Sequence, residues 1–146
     1  MLMKKNIYYW SPFFSNIATI KAVINSAVSF KRYSNKFEPM IIDVFGEWDA
    51  YQDLFLKNKI SVIKLNLDNY FKKKKINGFF ISRYYQIKIF ILAFFPLLNL
   101  FKKKKPDIII LHLVTSLPLF LNFIFKFKTQ IILRISGLPK LNFFRF

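Results

Sequence analysis

Pro106-Asp107-Ile108-Ile109-Ile110-Leu111-His112 decides the fold class of this 146-residue chain. Four consecutive apolar residues, three of them β-branched, lie between a Pro-Asp turn and a polar histidine. That pattern fits a strand buried on both faces, as in a parallel sheet; a strand with one face in water would alternate. Before it, residues 81–101 are apolar on nearly all sides, broken by Arg83, Lys88 and Pro96, and predict a buried or membrane-contacting helix. After it, Ser116 can cap a helix whose first turn accepts Pro118, and residues 129–135 predict a further strand.

The N-terminal part continues the alternation. Residues 6–10 predict a strand that empties into a loop at Ser11-Pro12. Ser15 or Asn16 can cap the following helix, with Ile17, Ile20, Ile24, Ala27 and Val28 forming one apolar stripe. Residues 39–45 predict a strand closed by Gly46, residues 49–57 a polar helix, and residues 60–65 a third strand. The order β-α-β-α-β-α-β-α-β predicts an α/β fold, a doubly wound Rossmann-like parallel sheet with its site at the carboxyl ends of the strands.

Composition narrows the function classes. Apolar residues make up 54% and aromatic residues 20%, enough for a packed core and too much for a disordered chain. The length suits a single domain. There is no Cys, which excludes disulfides, zinc-thiolate and iron-sulfur sites and a cysteine nucleophile; His112 is the only histidine, so no His-based metal cluster can form. Gly46, Gly78 and Gly137 are the only glycines, and neither a dinucleotide fingerprint nor a phosphate-binding P-loop can be written with them. The first 14 residues lack a sustained apolar core and a small-residue cleavage site, which predicts a cytoplasmic chain.

With 24 Lys and Arg against 7 Asp and Glu, the net charge is +17, which calls for an anionic partner: nucleic acid or an acidic membrane surface. The abundance of Lys, Asn, Ile and Phe also fits the residue usage of an AT-rich genome, which makes a chain basic without a polyanion. The basic runs Lys72, Lys73, Lys74, Lys75 and Lys102, Lys103, Lys104, Lys105 flank apolar elements and do not line one groove, which argues against nucleic acid. Residues 108–125 form an uncharged stretch of 18, at the lower limit for a bilayer span. Pro118, His112, Thr115, Ser116 and Asn122 argue against that use, and residues 89–101 suit a buried or interfacial helix.

Candidate site residues gather at expected strand ends. His112 closes the fourth strand, and Ser136 and Gly137 close the fifth. Glu47, Asp49 and Asp53 follow the second strand, where carboxylates can grip or deprotonate a hydroxyl or simply face solvent.

In this order and spacing the motifs resemble the N-terminal domain of GT-B glycosyltransferases, family four in particular. Pro106 to His112 is similar to that domain's "P-D-hydrophobic-hydrophobic-x-x-H" strand, and Ile132-Leu133-Arg134-Ile135-Ser136-Gly137 to the next. The opening Tyr9-Trp10-Ser11-Pro12-Phe13, with Ala18-Thr19-Ile20-Lys21-Ala22-Val23 and Ser26-Ala27, resembles the family's start. The chain departs from the family in its first loop, without glycine, and at Ser136, where the family often has His.

The resemblance implies transfer of a sugar from a nucleotide-sugar donor to a glycan or lipid-linked acceptor in cell-envelope polysaccharide biosynthesis. It assigns the catalytic cleft position to His112 and acceptor contacts to Ser11, Phe13, Ser15, Asn16, Glu47, Ser136 and Gly137. It implies no metal and no cofactor, the nucleotide-sugar being substrate, and it makes residues 1–146 an incomplete N-terminal Rossmann-like domain with the C-terminal donor-binding domain absent, so that the chain alone is expected to be inactive. Lipid-linked acceptors imply a peripheral position on the inner face of the cell membrane, with Lys72 to Lys75, Phe79, Phe80 and Lys102 to Lys105 as contacts. The competing expectation is a small basic membrane-anchored protein without enzymatic activity. Oligomeric state is left open.

Overall fold

The computed structural model describes residues 4–14, 18–71, 79–112 and 117–134. Five strands, β1 (Lys5–Trp10), β2 (Phe37–Asp43), β3 (Ser61–Lys64), β4 (Ile108–His112) and β5 (Gln130–Arg134), form one sheet in the order β3-β2-β1-β4-β5. Every pairing is parallel. The connecting helices are α1 (Ala18–Tyr33), α2 (Gln52–Lys57, entered through a 3-10 turn at Asp49–Tyr51), α3 (Phe79–Lys104) and α4 (Leu117–Phe125). The expected α/β class with an all-parallel sheet is present, an arrangement consistent with a Rossmann-like fold.

Alternation along β1 builds two cores. Tyr8 and Trp10 join Ile42, Ile109 and Leu111 beneath α3 and α4, whereas Ile7 and Tyr9 join Ile41, Ile108 and Ile110 beneath α1 and α2. Ile89, Ala93, Leu97 and Phe101, spaced by four, form the sheet-facing stripe of α3. Each large side chain so buried contributes roughly 1.5–3 kcal/mol.

The buried stripe of α1 is turned relative to the expected one. Ile20, Val23 and Ala27 are fully buried, while Ile24 and Val28 lie at its margin. The buried Tyr9 hydroxyl needs a polar partner and finds Ser26 Oγ at 2.8 Å, which fixes the helix rotation. The expected caps Ser15, Asn16 and Ser116, together with Ile17, lie outside the described residues.

The second lysine run is helical where the sequence reading ended the helix at residue 101. Lys102, Lys103 and Lys104 occupy the last turn of α3, where cations complement the carbonyl end of the helix. Residues 108–125 divide into a strand and a helix, so that stretch does not run as one span. Among the described residues, Phe80–Lys104 is long and apolar enough to cross a membrane by length and composition, although one of its faces packs on the sheet. β5 is an edge strand with Ile132 and Leu133 exposed.

Candidate functional site

The sheet order changes direction at β1: the chain moves from β1 through β2 to β3, then crosses back to β4 on the other side. In open parallel sheets the crevice at such a switch point, outside the carboxyl ends of the strands, is the usual ligand site. β1 and β4 bring Ser11 and His112 to that crevice.

Strand register defines the site further. Trp10 pairs with Ile42 on one side and Leu111 on the other, so the next row holds Asp43, Ser11 and His112. Asp43 pairs with Lys64, and His112 with Arg134. Four strands therefore end on a polar residue and β1 is followed directly by one, in one row running Lys64, Asp43, Ser11, His112, Arg134. By alternation this row shares the α1 and α2 face with Tyr9, Ile41 and Ile110. Apolar rows fill the sheet up to this level and polar chemistry begins there.

His112 is 2% exposed, and its ring lies 6.1 Å from that of Tyr9. Burial first, and then the charge of Arg134, hold the imidazole down to a pKa of about 4 from its ordinary 6.5. It is neutral at physiological pH, and its buried Nε2 has no hydrogen-bond partner among the described residues. An unpaired buried polar atom is costly, and the cost is recovered when a ligand supplies the missing partner.

Asp43 and Glu47 form a second polar centre at the end of β2. Asp43 Oδ1 accepts the Gly46 N–H at 2.8 Å. Glu47 accepts the N–H groups of Val44 at 3.0 Å and Phe45 at 2.8 Å, folding the turn back on itself. Burial, followed by a hydrogen bond to the Asp43 carboxyl, pushes the Glu47 pKa well above the carboxylate range, since two facing carboxyl groups need a proton between them. Glu47, expected to contact an acceptor, is thus engaged in holding the turn. Asp49 lies outside the pair and binds Lys64 Nζ at 2.7 Å.

Gly46 is required by this turn. Its φ is +85°, and a Cβ there would meet Asp49 Oδ2 at 2.8 Å. Gly46→Ala is expected to lower stability by about 1–2 kcal/mol through backbone strain and disturbance of the Asp49–Lys64 pair; a urea melt checks this, and an unchanged midpoint would contradict it.

Of the other expected contacts, Ser11 is buried within the row and Phe13 is committed to the core, edge-on to Trp48 with ring centroids 4.8 Å apart. Ser15, Asn16, Ser136 and Gly137 lie outside the described residues, as do Lys72, Lys73, Lys74 and Lys75. Phe79 opens α3, and Phe80 with Lys102, Lys103, Lys104 and Lys105 is exposed; these lysines precede the amino end of β4, whereas the row lies at the carboxyl ends of the strands. The sequence reading missed Asp43, Lys64 and Arg134; the available signal was a polar residue directly after each apolar run. Among the described residues no group of three or more His, Asp or Glu is arranged to hold a metal ion. Comparisons with protein-family models, with curated proteins and with solved structures find no match to this chain.

Proposed function

We propose that this chain is the acceptor-binding domain, a doubly wound Rossmann-like unit, of a GT-B glycosyltransferase that moves a sugar from a nucleotide-sugar to a glycan or lipid-linked acceptor. The observation that carries the reading is the buried Nε2 of His112 at the switch point of the sheet, which has no hydrogen-bond partner among the described residues. A sugar hydroxyl can donate to or accept from a neutral imidazole, and an acceptor hydroxyl must be held in line with the donor carbon before transfer occurs. At a pKa of about 4 the ring is a weak base, so in this reading its contribution is orientation of the acceptor more than proton removal. The donor is held by a second domain.

The test is a titration of the purified chain with soluble glycans and short-chain prenyl diphosphate sugars, followed by NMR of the single histidine ring. Acceptor binding should shift the His112 resonances, and His112→Ala should weaken binding at least tenfold at a temperature where the variant is still folded, beyond the loss of Tm that truncating a buried ring brings. If no acceptor moves those resonances and His112→Ala only lowers the Tm, the histidine is a core residue and the reading fails. The membrane-anchored alternative draws on the length and apolarity of α3. The packing of α3 on the sheet favours surface contact over a span.

A further inference from the structure

α3 has two apolar faces. One packs on the sheet; the other presents Phe80, Tyr84, Ile87, Ile91 and Phe95, spaced by four, three, four and four, to the outside. Phe95 is 70% exposed and Ile91 64% exposed. At a rise of about 1.5 Å per residue this stripe is about 22 Å long. α4 lies alongside, joined to α3 through Phe90 and Phe94 against Phe120, and it adds Phe123, 82% exposed, to the same layer. A monomer in water rarely leaves so much contiguous apolar surface uncovered.

The layer ends in a basic cleft. Where α3 and α4 run down to the amino ends of β4 and β5, a cavity of about 410 Å³ is lined by Lys102, Lys105, Lys126 and Lys128 over Phe101 and Phe127. The single carboxylate in its wall, Asp107, accepts the Asn6 N–H at 2.8 Å. Among the described residues no carboxylate forms a salt bridge with any of the four lysines. Lys102 Nζ lies 5.7 Å from the centre of the Phe125 ring, so basic and aromatic groups adjoin.

From this juxtaposition we infer that the outer faces of α3 and α4 dock on an anionic lipid bilayer, with a headgroup phosphate received by the four-lysine cleft. An apolar face alone would accept many partners. The lysines select an anionic one, and a straight apolar stripe on two adjacent helices suits an extended acyl and headgroup boundary. A free phosphate would use the lysines and leave the phenylalanines unexplained. The inference does not depend on the glycosyltransferase reading, because none of these residues lies near His112.

Two cleft lysines provide a test that misfolding cannot mimic. Lys105 and Lys126 have φ of 45° and 49°, the left-handed region in which glycine is at ease. Lys105→Gly and Lys126→Gly together should therefore raise the Tm or leave it unchanged while removing two cleft charges. At about 1 kcal/mol per lysine near an anionic surface, the double variant should bind vesicles about thirtyfold more weakly. Flotation of the intact chain with phosphatidylcholine vesicles, with and without one-third phosphatidylglycerol, reads this out. The expected result is binding to the anionic vesicles only, release by added salt, loss in the double variant, and loss in Phe95→Ser with Phe123→Ser. Equal binding to neutral vesicles, or unchanged affinity in the lysine variant, would overturn the inference. So would binding of inorganic pyrophosphate at the lysines without any vesicle binding, or attachment that resists salt and carbonate as an inserted helix does.

Discussion

Trp48→Ala is expected to destabilise the fold by about 3–5 kcal/mol, a large part of the roughly 5–15 kcal/mol that holds a domain together. Trp48 is fully buried and sits among Phe13 at 4.8 Å, Phe55 at 5.8 Å and Tyr51 at 6.0 Å between ring centroids. Through these contacts it ties the exit loop of β1 to the turn and helix that follow β2. Truncation would leave a void lined by rings that cannot collapse without moving the backbone, which is the condition for a large loss. The indole Nε1 has no hydrogen-bond partner among the described residues, so Trp48→Phe retains an aromatic ring and deletes an N–H that makes no bond there. It should cost less than about half as much. Urea denaturation of both variants checks this, and a loss below about 1 kcal/mol for Trp48→Ala would show that the cluster is not a core.

Acid should weaken the protein through His112. Its folded-state pKa of about 4 is below the ordinary 6.5, so between these values the unfolded chain binds more protons than the folded one. Stability from this group is complete above about pH 6.5 and falls as the pH drops toward 4, by up to about 3 kcal/mol. Glu47 works in the opposite sense: its raised pKa favours the folded state in acid and loses that advantage as the pH rises through the folded-state value. The two are separable, because His112→Gln removes the first slope and leaves the second. Denaturation midpoints of the parent and His112→Gln between pH 7.5 and 4.5 should converge in acid if His112→Gln is the less stable at neutral pH, or diverge in its favour if the two start equal. Parallel curves would mean that His112 does not titrate as its burial and Arg134 require.

The sheet was readable because its strands are short apolar runs with local edges. β4 spans Ile108–His112 as the isoleucine run indicates, and the other strands differ from expectation by only a few residues at each end. Less accessible was anything fixed across the chain. The rotation of α1 depends on Tyr9 meeting Ser26, a contact that no hydrophobic periodicity encodes. The lysines at the end of α3 look like a loop by charge, although lysine is a good helix former and favours the C-terminal turn. His112 was recognisable as a strand-end residue, whereas Asp43, Lys64 and Arg134 fell inside stretches assigned to strands. Their common row arises from register between strands, which is set by pairing and not by spacing along the sequence.

The five-residue row also has a gradient of exposure. Ser11, Asp43 and His112 at its centre are buried, while Lys64 and Arg134 at its ends are open to solvent. If the row binds the proposed acceptor, a change at the centre must satisfy both ligand and fold, but one at either end alters charge beside the ligand with little penalty in folding. Diversification of this scaffold should therefore be uneven: the middle positions are slow to change, and the flanking two are free to drift. New ligand preferences would then arise by recharging the ends of a fixed centre, one edge strand at a time.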